Sequence, residues 1–596
     1  MTSSPFILGV GAVLAVAIGF LVDSPYFASV LAYGVVLGIF SLGLGLTLGR
    51  MGYVTFGHAA FFGLGAYAVA LLCVEFGLSY WAVLPLALLP GVGLGVLVGF
   101  VSARLGGAYF AIATLTTAEI LRLVAANWID LTRGPMGILV PVTPLPWQEA
   151  LGWNASQAYL SLLVVVAAIV LALIHNLNRS PLGRAWIAVR EAPDLAESLG
   201  IPTVRARVWN VALSGAIASL AGALVLPKIF VVTPDLFGVA NSATGLLAAI
   251  LGGKATLLGP LLGGIVFAVL PETLRFVDAA RLAIFAVILL VVVRLLPGGI
   301  VSLLPSRLRP RIRAPQPVAG DAGPTLFPAA AAGTADELLQ VSHLRKSFAG
   351  VTATQDVSFT VRRGELVGLI GPNGAGKTTC FSQLSGFLAP DAGQIAFDGR
   401  SVIGQAPHRI AARGMVRTFQ HAALARNLSV YENVLTATHL ALPETVLASA
   451  LRLPSFRRRE AERARLAMAC LAALDLTARA DEMAQDLPYG EQKLLAIAMA
   501  LATRPRLLLL DEPAAGLNQV EAARLADVLR MLQRAGLTLV VVDHNLKMMM
   551  AICDRIVVLH HGALIAQGTP AEVRSHPEVI QAYLGGQDDD VAEMRS

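Results

Sequence analysis

The sequence predicts a multi-domain chain: an N-terminal polytopic all-α transmembrane domain, then a C-terminal α/β domain of P-loop type. Three observations carry this. Of 596 residues, 56% are hydrophobic and 14% charged, against about 45–50% and 25% in soluble domains. That excess of apolar residues points to a bilayer. The charge is also uneven, scarce over residues 1–300 and mixed Arg, Glu and Asp over 337–596. Within the second part, a glycine-rich GxxxxGK[ST] run follows an apolar strand and opens a helical segment.

Apolar runs near bilayer-spanning length recur through the first half. The reading places spans at 6–22, 30–49, 59–75, 81–103, 108–126, 159–175, 208–226, 257–271 and 282–296, with a short run at 243–253. The first is read as a span and not as a removed signal peptide, because no basic start or small-residue cleavage site accompanies it. Segment 176–207 carries Arg179, Arg184, Arg190, Arg205 and Arg207, and the stretch after the last span carries Arg307, Arg309, Arg311 and Arg313. Both are expected on the cytoplasmic side. An even number of crossings between them makes 243–253 a tenth span, so the count is nine or ten. The domain limits follow: 1–304 in the membrane, a flexible Pro/Ala/Gly linker at 305–336, the α/β domain at 337–585 and a polar tail at 586–596.

The formal net charge is +6. A nucleic-acid partner would call for a basic face with aromatic platforms, and the sequence shows neither; the expected contact is membrane lipid. Cys73, Cys380, Cys470 and Cys553 stand in no ligand-like spacing, so neither a disulfide framework nor a metal cluster is expected.

The chemistry is expected at Gly371, Pro372, Asn373, Gly374, Ala375, Gly376, Lys377, Thr378 and Thr379, behind the strand LVGLI. Glycines let backbone N–H groups curl around phosphates at a helix N-terminus. Lys377 would reach the β- and γ-phosphates of ATP and Thr378 would ligate Mg²⁺. In LLLLDEP (507–513) an apolar strand ends in two carboxylates. Asp511 would hold Mg²⁺, and Glu512 would polarise the attacking water.

The run LPYGEQKLLAIAMAL (487–501) resembles the signature motif of ATP-binding-cassette ATPases, with Gly490, Glu491 and Gln492, behind Tyr489, at its core. The resemblance covers roughly 338–585. It implies two such domains sandwiching ATP head to tail, each signature reaching the other's nucleotide. It also implies that Gln420 in VRTFQ is the Q-loop glutamine linking Mg²⁺ and water to the permease contact. Ala515–Asn518 falls at the D-loop, His544 in VVVDHN at the switch histidine that contacts the γ-phosphate, and Phe348 at the aromatic that stacks on adenine. Pro488 departs from the pattern, standing where the family most often has Ser; it offers neither a hydroxyl nor an N–H.

The first half resembles permeases of high-affinity branched-chain amino acid importers. The residues that carry this are LGLGLTLGRMGYVTFGHAAFFGLGAYAVALL (42–72), GAYFAIATLTTAEILRLVAANW (107–128), RGPMGI (133–138), SPLGRAWIAVREAPDLAESLGI (180–201) and LGGKATLLGPLLGG (251–264). RTFQHAAL (417–424) and LDEPAAGLN (510–518) have the same flavour. Permease and ATPase in one chain depart from the commoner layout of separate subunits. The resemblance implies an EAA-like coupling helix over Arg190, Glu191, Ala192 and up to Gly200, meeting the ATPase at about 421–433.

The function expected from the resemblance is ATP-driven import of branched-chain or hydrophobic amino acids across a bacterial inner membrane, with the ATPase domain cytoplasmic. Urea, short amides or aromatic acids are the alternative cargo; an ABC exporter and an ATP-gated membrane regulator are rival readings. A second permease subunit, a second ATPase subunit and a periplasmic substrate-binding protein are the implied partners. His58, Glu119, Arg122 and Asn127, in or near spans, are candidates because polar groups in a bilayer are costly, and Tyr109, Thr114 and Thr117 join them.

Overall fold

The computed structural model describes residues 4–142, 144–275, 281–303, 314–315, 337–348, 350–420, 423–442 and 445–584. The expected linker, apart from 314–315, and the expected tail lie outside them. The chain divides into two compact units. One comprises Met1–Arg190, Val204–Arg311 and Ser449–Arg452; the other Glu191–Thr203, Ile312–Ala448 and Leu453–Ser596. Two short segments therefore depart from the contiguous division read from the sequence. Within the first unit, Asn176 Nδ2 donates to the Ala450 carbonyl at 2.8 Å.

Apart from a short antiparallel pair between Ile138–Leu139 and Val231–Val232, the described part of the first unit is built of helices and loops. Its main helices are α1 (Ser4–Leu21), α2 (Pro25–Gly45), α3 (His58–Glu75), α4 (Leu88–Val101), α5 (Gly107–Asn127), α6 (Ala155–Asn178), α7 (Pro181–Glu191), α8 (Thr203–Leu224), α9 (Val239–Gly252), α10 (Gly259–Thr273) and α11 (Arg281–Leu295). Among the described residues, six helical stretches are long and apolar enough to cross a membrane: Pro25–Met51, His58–Glu75, Tyr80–Val101, Gly107–Asn127, Ala155–Asn178 and Thr203–Ile229. Four further apolar helices, including α9 and α10, are shorter. Where the sequence reading expects nine or ten spans, the described residues show six long apolar helices and four short ones. The shortening has a local cause at α9, which stops at Gly253 in the left-handed region (φ 119°). There a Cβ would sit 2.7 Å from the Gly298 carbonyl oxygen.

Helix termini follow local chemistry. Asn154 accepts from the Gln157 N–H, and the Gln157 side chain accepts from the Asn154 N–H, a capping box that starts α6. Below α2, residues Leu46–Met51 form a π-helical turn. Such a turn weakens the backbone ladder, and polar groups of α8 compensate. Asn210 Nδ2 donates to the Leu46 carbonyl at 3.1 Å, and Ser214 Oγ donates to Gly43 at 2.6 Å.

Close packing here rests on small residues. On α4, Gly91, Gly95 and Gly99 recur every four residues, on one helix face. A Cβ on them would lie 2.5 Å from the Gly215 oxygen, 2.5 Å from Ala212 Cα and 2.9 Å from Val208 Cα, all on α8.

The second unit holds two sheets. Its strands are β1 (Glu337–Phe348), β2 (Val351–Arg362), β3 (Leu366–Ile370), β4 (Ala392–Phe397), β5 (Arg400–Ser401), β6 (Met415–Arg417), β7 (Leu507–Asp511), β8 (Thr538–Val542), β9 (Arg555–His560) and β10 (Ala563–Gly568). The antiparallel sheet has the order β2-β1-β4-β5, and the larger sheet β10-β9-β3-β8-β7-β6. In the latter, β9, β3, β8, β7 and β6 run parallel. Every residue of β3, β7 and β8 is buried, as expected of parallel strands covered on both faces. The helices that matter for the site are α12 (Lys377–Leu384), α13 (Val430–Ala437), α14 (Tyr489–Ala502) and α15 (Gln519–Arg534).

Gly95→Leu is expected to force α4 from α8 and to cost about 1–3 kcal/mol, the usual range for overpacking. A lowered melting temperature of the detergent-solubilised protein, with the cassette's hydrogen exchange unchanged, checks it.

Candidate functional site

Four loops leave the carboxyl ends of neighbouring parallel strands, where open α/β sheets place their ligand sites. The loop after β3 carries 371–376, the one after β6 carries Gln420, the one after β7 carries Glu512, and the one after β8 carries His544. Register aligns them: Val542 lies opposite Asp511 on one side and Leu369 on the other.

The first loop demands glycine at Gly371 and Gly376. Their φ angles are 152° and 94°. A Cβ would fall 2.1 Å from the Leu559 oxygen at the first and 2.1 Å from the Ala353 oxygen at the second. Gly374 lies in the left-handed region too (φ 83°). Ala375 is buried, while Asn373 and Thr378 are exposed; Pro372 and Thr379 are half-buried. Lys377 opens α12 and folds back on the loop, donating to the carbonyls of Gly371 (2.6 Å) and Pro372 (3.0 Å). Burial draws its ammonium below the ordinary lysine range, with the carboxylates of Glu512 and Asp511 opposing.

Glu512 is held in a left-handed conformation (φ 46°). Its N–H donates to the Val542 carbonyl at 2.7 Å. Gln420 Nε2 donates to Glu512 Oε2 at 2.7 Å, and His544 Nδ1 lies 3.9 Å from the same oxygen. The structure thus gathers Gln420, Glu512 and His544 around one carboxylate, one residue beyond Asp511. Asp543, fully buried beside His544, accepts from the N–H of Ala514 (2.8 Å) and of Asn545 (2.9 Å). It pins the start of the 514–518 loop, which Asn518 closes by capping α15 in a box with Glu521.

Tyr489, Gly490, Glu491 and Gln492 open α14. Pro488 stands at its N-cap without a side-chain cap. Gln492 Nε2 turns back to the Leu487 carbonyl (2.9 Å), and Glu491 lies 3.4 Å from Arg479 Nε. Phe348 ends β1 half-exposed, with Lys346 Nζ 5.7 Å from its ring centroid. It is therefore a surface platform and not a core side chain.

Two cations at the site carry no role in the sequence reading. Arg417, last residue of β6, is buried against Asp511, with Nη2 2.7 Å from Oδ2. Its Nη1 donates to Ser382 and Ser385 at 3.1 Å each, and the Phe419 ring centroid lies 5.1 Å from its Cζ. Lys493, buried on α14, donates to the Glu512 carbonyl (3.1 Å) and to the Gln420 carbonyl. Burial lowers its pKa, with Asp543, Glu512 and Asp511 opposing. The sequence signals are an arginine closing the short run MVR and a lysine heading the apolar run LLAIAMALA.

Segment 191–203 belongs with this unit. Glu191 Oε1 accepts from Asn427 Nδ2 at 2.7 Å, and Oε2 from the Asn427 N–H at 3.3 Å. Ala192, Leu195 and Leu199 join the apolar core that contains Leu424, Val430 and Val434. His439 Nε2 donates to the Gly200 carbonyl at 3.0 Å. Gly200 has φ 86° and lies so close to Leu440 that a Cβ would be 2.3 Å from its Cδ1. In the first unit, Arg190 Nη1 donates to the Gly49 carbonyl at 2.7 Å.

Of the polar membrane candidates, His58 is buried between Phe40 and Phe61 with Nε2 3.4 Å from Ser214 Oγ. Thr114 and Thr117 donate to carbonyls one turn back in α5, at 2.9 and 2.8 Å. Asn127 Nδ2 does the same toward Leu123 at 2.8 Å. Tyr109 is exposed.

A glycine loop opening a helix, a strand-end carboxylate pair and a histidine at the next strand end, all on one parallel sheet, are the arrangement of a P-loop ATPase of the ATP-binding-cassette class, joined here to a multi-pass membrane domain. Comparison with known proteins places both halves. Residues 26–293 match the family described as branched-chain amino acid transport system / permease component. Residues 354–515 match the ABC transporter family, and 563–589 the branched-chain amino acid ATP-binding cassette transporter family. The ATP-binding half is 43% identical to the high-affinity branched-chain amino acid transport ATP-binding protein BraF of Pseudomonas aeruginosa, over 42% of this chain and 98% of that one. It is 41% identical to LivG of Escherichia coli over the same shares. It is also similar to a solved ATP-binding cassette of an ABC transporter in its ADP conformation, at 30% identity and a TM-score of 0.37, covering 42% of this chain and 99% of that one. The chain belongs to the branched-chain amino acid ABC transporter family, with permease and ATP-binding component fused. It is an ATPase and a multi-pass membrane protein whose cassette is cytoplasmic.

Replacing Arg417 by Met leaves the Asp511 carboxylate buried without its partner. Removing one member of a buried ion pair costs about 3–5 kcal/mol, so amide exchange in β6 and β7 of the Arg417→Met variant is expected to accelerate strongly.

Proposed function

We propose that the chain uses ATP hydrolysis to import branched-chain or other hydrophobic amino acids, working with a second permease subunit, a second ATPase subunit and a periplasmic substrate-binding protein. The observation that carries this is the pairing in one polypeptide of a membrane domain matching branched-chain amino acid permeases and a domain matching ABC transporter ATPases. The cassette alone does not fix the direction of transport: at 37% identity it also resembles LptB of Acidithiobacillus ferridurans, named for lipopolysaccharide export. The permease match favours import.

In this reading the backbone of 371–376 cradles the phosphates, Lys377 neutralises them, and exposed Phe348 stacks on the base. Glu512 acts as general base on the attacking water, steered by its hydrogen bond with Gln420, while His544 monitors the γ-phosphate. Thr378, Asp511 and Gln420 supply a hydroxyl, a carboxylate and an amide oxygen. That hard-oxygen set fits Mg²⁺, which characteristically relies on one or two carboxylates plus substrate phosphates; when bound, the ion supplies charge neutralisation at the phosphates. Asp511 would hold the ion while its Oδ2 accepts from Arg417. The signature Tyr489–Gln492 serves the nucleotide of the opposing cassette. Arg190, Glu191, Ala192 and Gly200 form the coupling element, and Glu191 reads the state of the Q-loop through Asn427, seven residues beyond Gln420.

Reconstituted with its partner subunits and binding protein, the protein is expected to show saturable leucine uptake competed by isoleucine and valine. Glu512→Gln is expected to lower ATP hydrolysis by roughly 10²–10⁴-fold, the usual contribution of a general base, and to abolish uptake. Hydrolysis without leucine uptake would move the cargo to urea, amides or aromatic acids. Gly200→Val, which drives a side chain into Leu440, is expected to lower the leucine carried per ATP hydrolysed.

A further inference from the structure

Helix α5 carries a charged pair in mid-span, among exposed apolar side chains. Along α4 and the body of α11 the exposed side chains are apolar throughout, as hydrocarbon requires: Leu89, Val96, Leu97 and Phe100 on α4, and Val287, Leu290 and Val291 on α11. On α5, only 22% of the spanning window is buried, and its mean hydropathy of 1.4 is the lowest of the six long spans. Its uncovered side includes Tyr109 and Thr116, with a charged pair alongside. Arg122 Nε donates to Glu119 Oε2 at 2.9 Å and Nη2 to Oε1 at 2.6 Å. The two side chains remain 33% and 43% exposed.

Depth makes this pair informative. Glu119 lies twelve residues in from Gly107 and eight from Asn127, or about 18 and 12 Å along the axis. Arg122 does not extend toward the nearer helix end, as a snorkelling arginine does. It turns back, deeper, onto Glu119. Half-exposed charges at this depth are too costly against lipid and mark a water-lined or protein-lined face.

We propose that this face of α5 lines the translocation path and that Glu119 and Arg122 form a transient site for a zwitterion. The inference rests on the amino acid reading above. The bidentate guanidinium suits a carboxylate, and the glutamate suits an ammonium. An opened ion pair re-pairs with both charges of an α-amino acid, so neither member of the pair is left without a partner. Singly charged solutes leave one partner stranded and are rejected. Ile112, Ile120 and Leu123, exposed on the same helix, offer apolar contact to an aliphatic side chain.

The test uses the full complex with its binding protein in proteoliposomes. Glu119→Gln and Arg122→Gln are each expected to cut the efficiency of leucine uptake roughly 10- to 100-fold, the range for losing a charge-assisted hydrogen bond, while the subunits still co-purify. Arg122→Lys is expected to recover part of the loss. Thr116→Cys is expected to react with a membrane-impermeant hydrophilic thiol reagent, and leucine-loaded binding protein is expected to slow that reaction. Unaltered uptake in both glutamine variants overturns the proposal. So does a Thr116→Cys variant that stays closed to the reagent, or loss of co-purification, either of which makes the pair a subunit contact. A labelled Thr116→Cys variant in a complex that carries no leucine overturns the cargo reading but keeps the aqueous face, so the two failures are distinguishable.

Discussion

The cassette depends on the hydrogen-bonded register of four parallel strands. Because β3, β8, β7 and β6 are adjacent and parallel, their carboxyl ends fall in one row, and the four loops that leave them must meet. The chemistry is then arranged by backbone as much as by side chains. The N–H of Glu512 is spent on the neighbouring strand, and that bond fixes the residue in its left-handed conformation. A residue so held is strained, and its fixed backbone directs the carboxylate at Gln420. Buried cations finish the arrangement: Arg417 anchors the strand end before Glu512, and Lys493 ties the carbonyls on either side of the Gln420–Glu512 contact.

Much of this was legible in the sequence because phosphate chemistry imposes residue types at fixed spacing. Glycines where a Cβ would strike a carbonyl, a lysine at a helix start and two carboxylates at a strand end leave few substitutes. Arg417 and Lys493 were not legible in the same way. Both act on groups whose partners are set by the fold: Lys493 binds two main-chain carbonyls, which any residue could supply, and Arg417 meets Asp511 across 94 positions of sequence. The contact of Glu191 with Asn427 was anticipated only as a region, since residue-level pairing depends on how a short helix sits in its groove.

In the membrane unit the limit was different. Apolar composition announces helices, but their lengths depend on where the backbone breaks. Gly253 ends α9 through a conformation and a close approach that a hydropathy profile does not register. The π-turn at Leu46–Met51 is equally silent in sequence, although Asn210 and Ser214, polar residues within an otherwise apolar helix, are the side chains that accommodate it. Polarity inside a span thus has several meanings, from backbone repair on α8 to the uncovered charges of α5.

The glycine stripe of α4 has a mechanical consequence. Where main chain meets main chain, there are no long side chains to swap rotamers and let one rod slide along the other. Helices α4 and α8 must therefore travel as a single lever during any rearrangement of the membrane unit, and the hinges that permit such movement have to lie elsewhere, in segments whose contacts can be exchanged without opening a void.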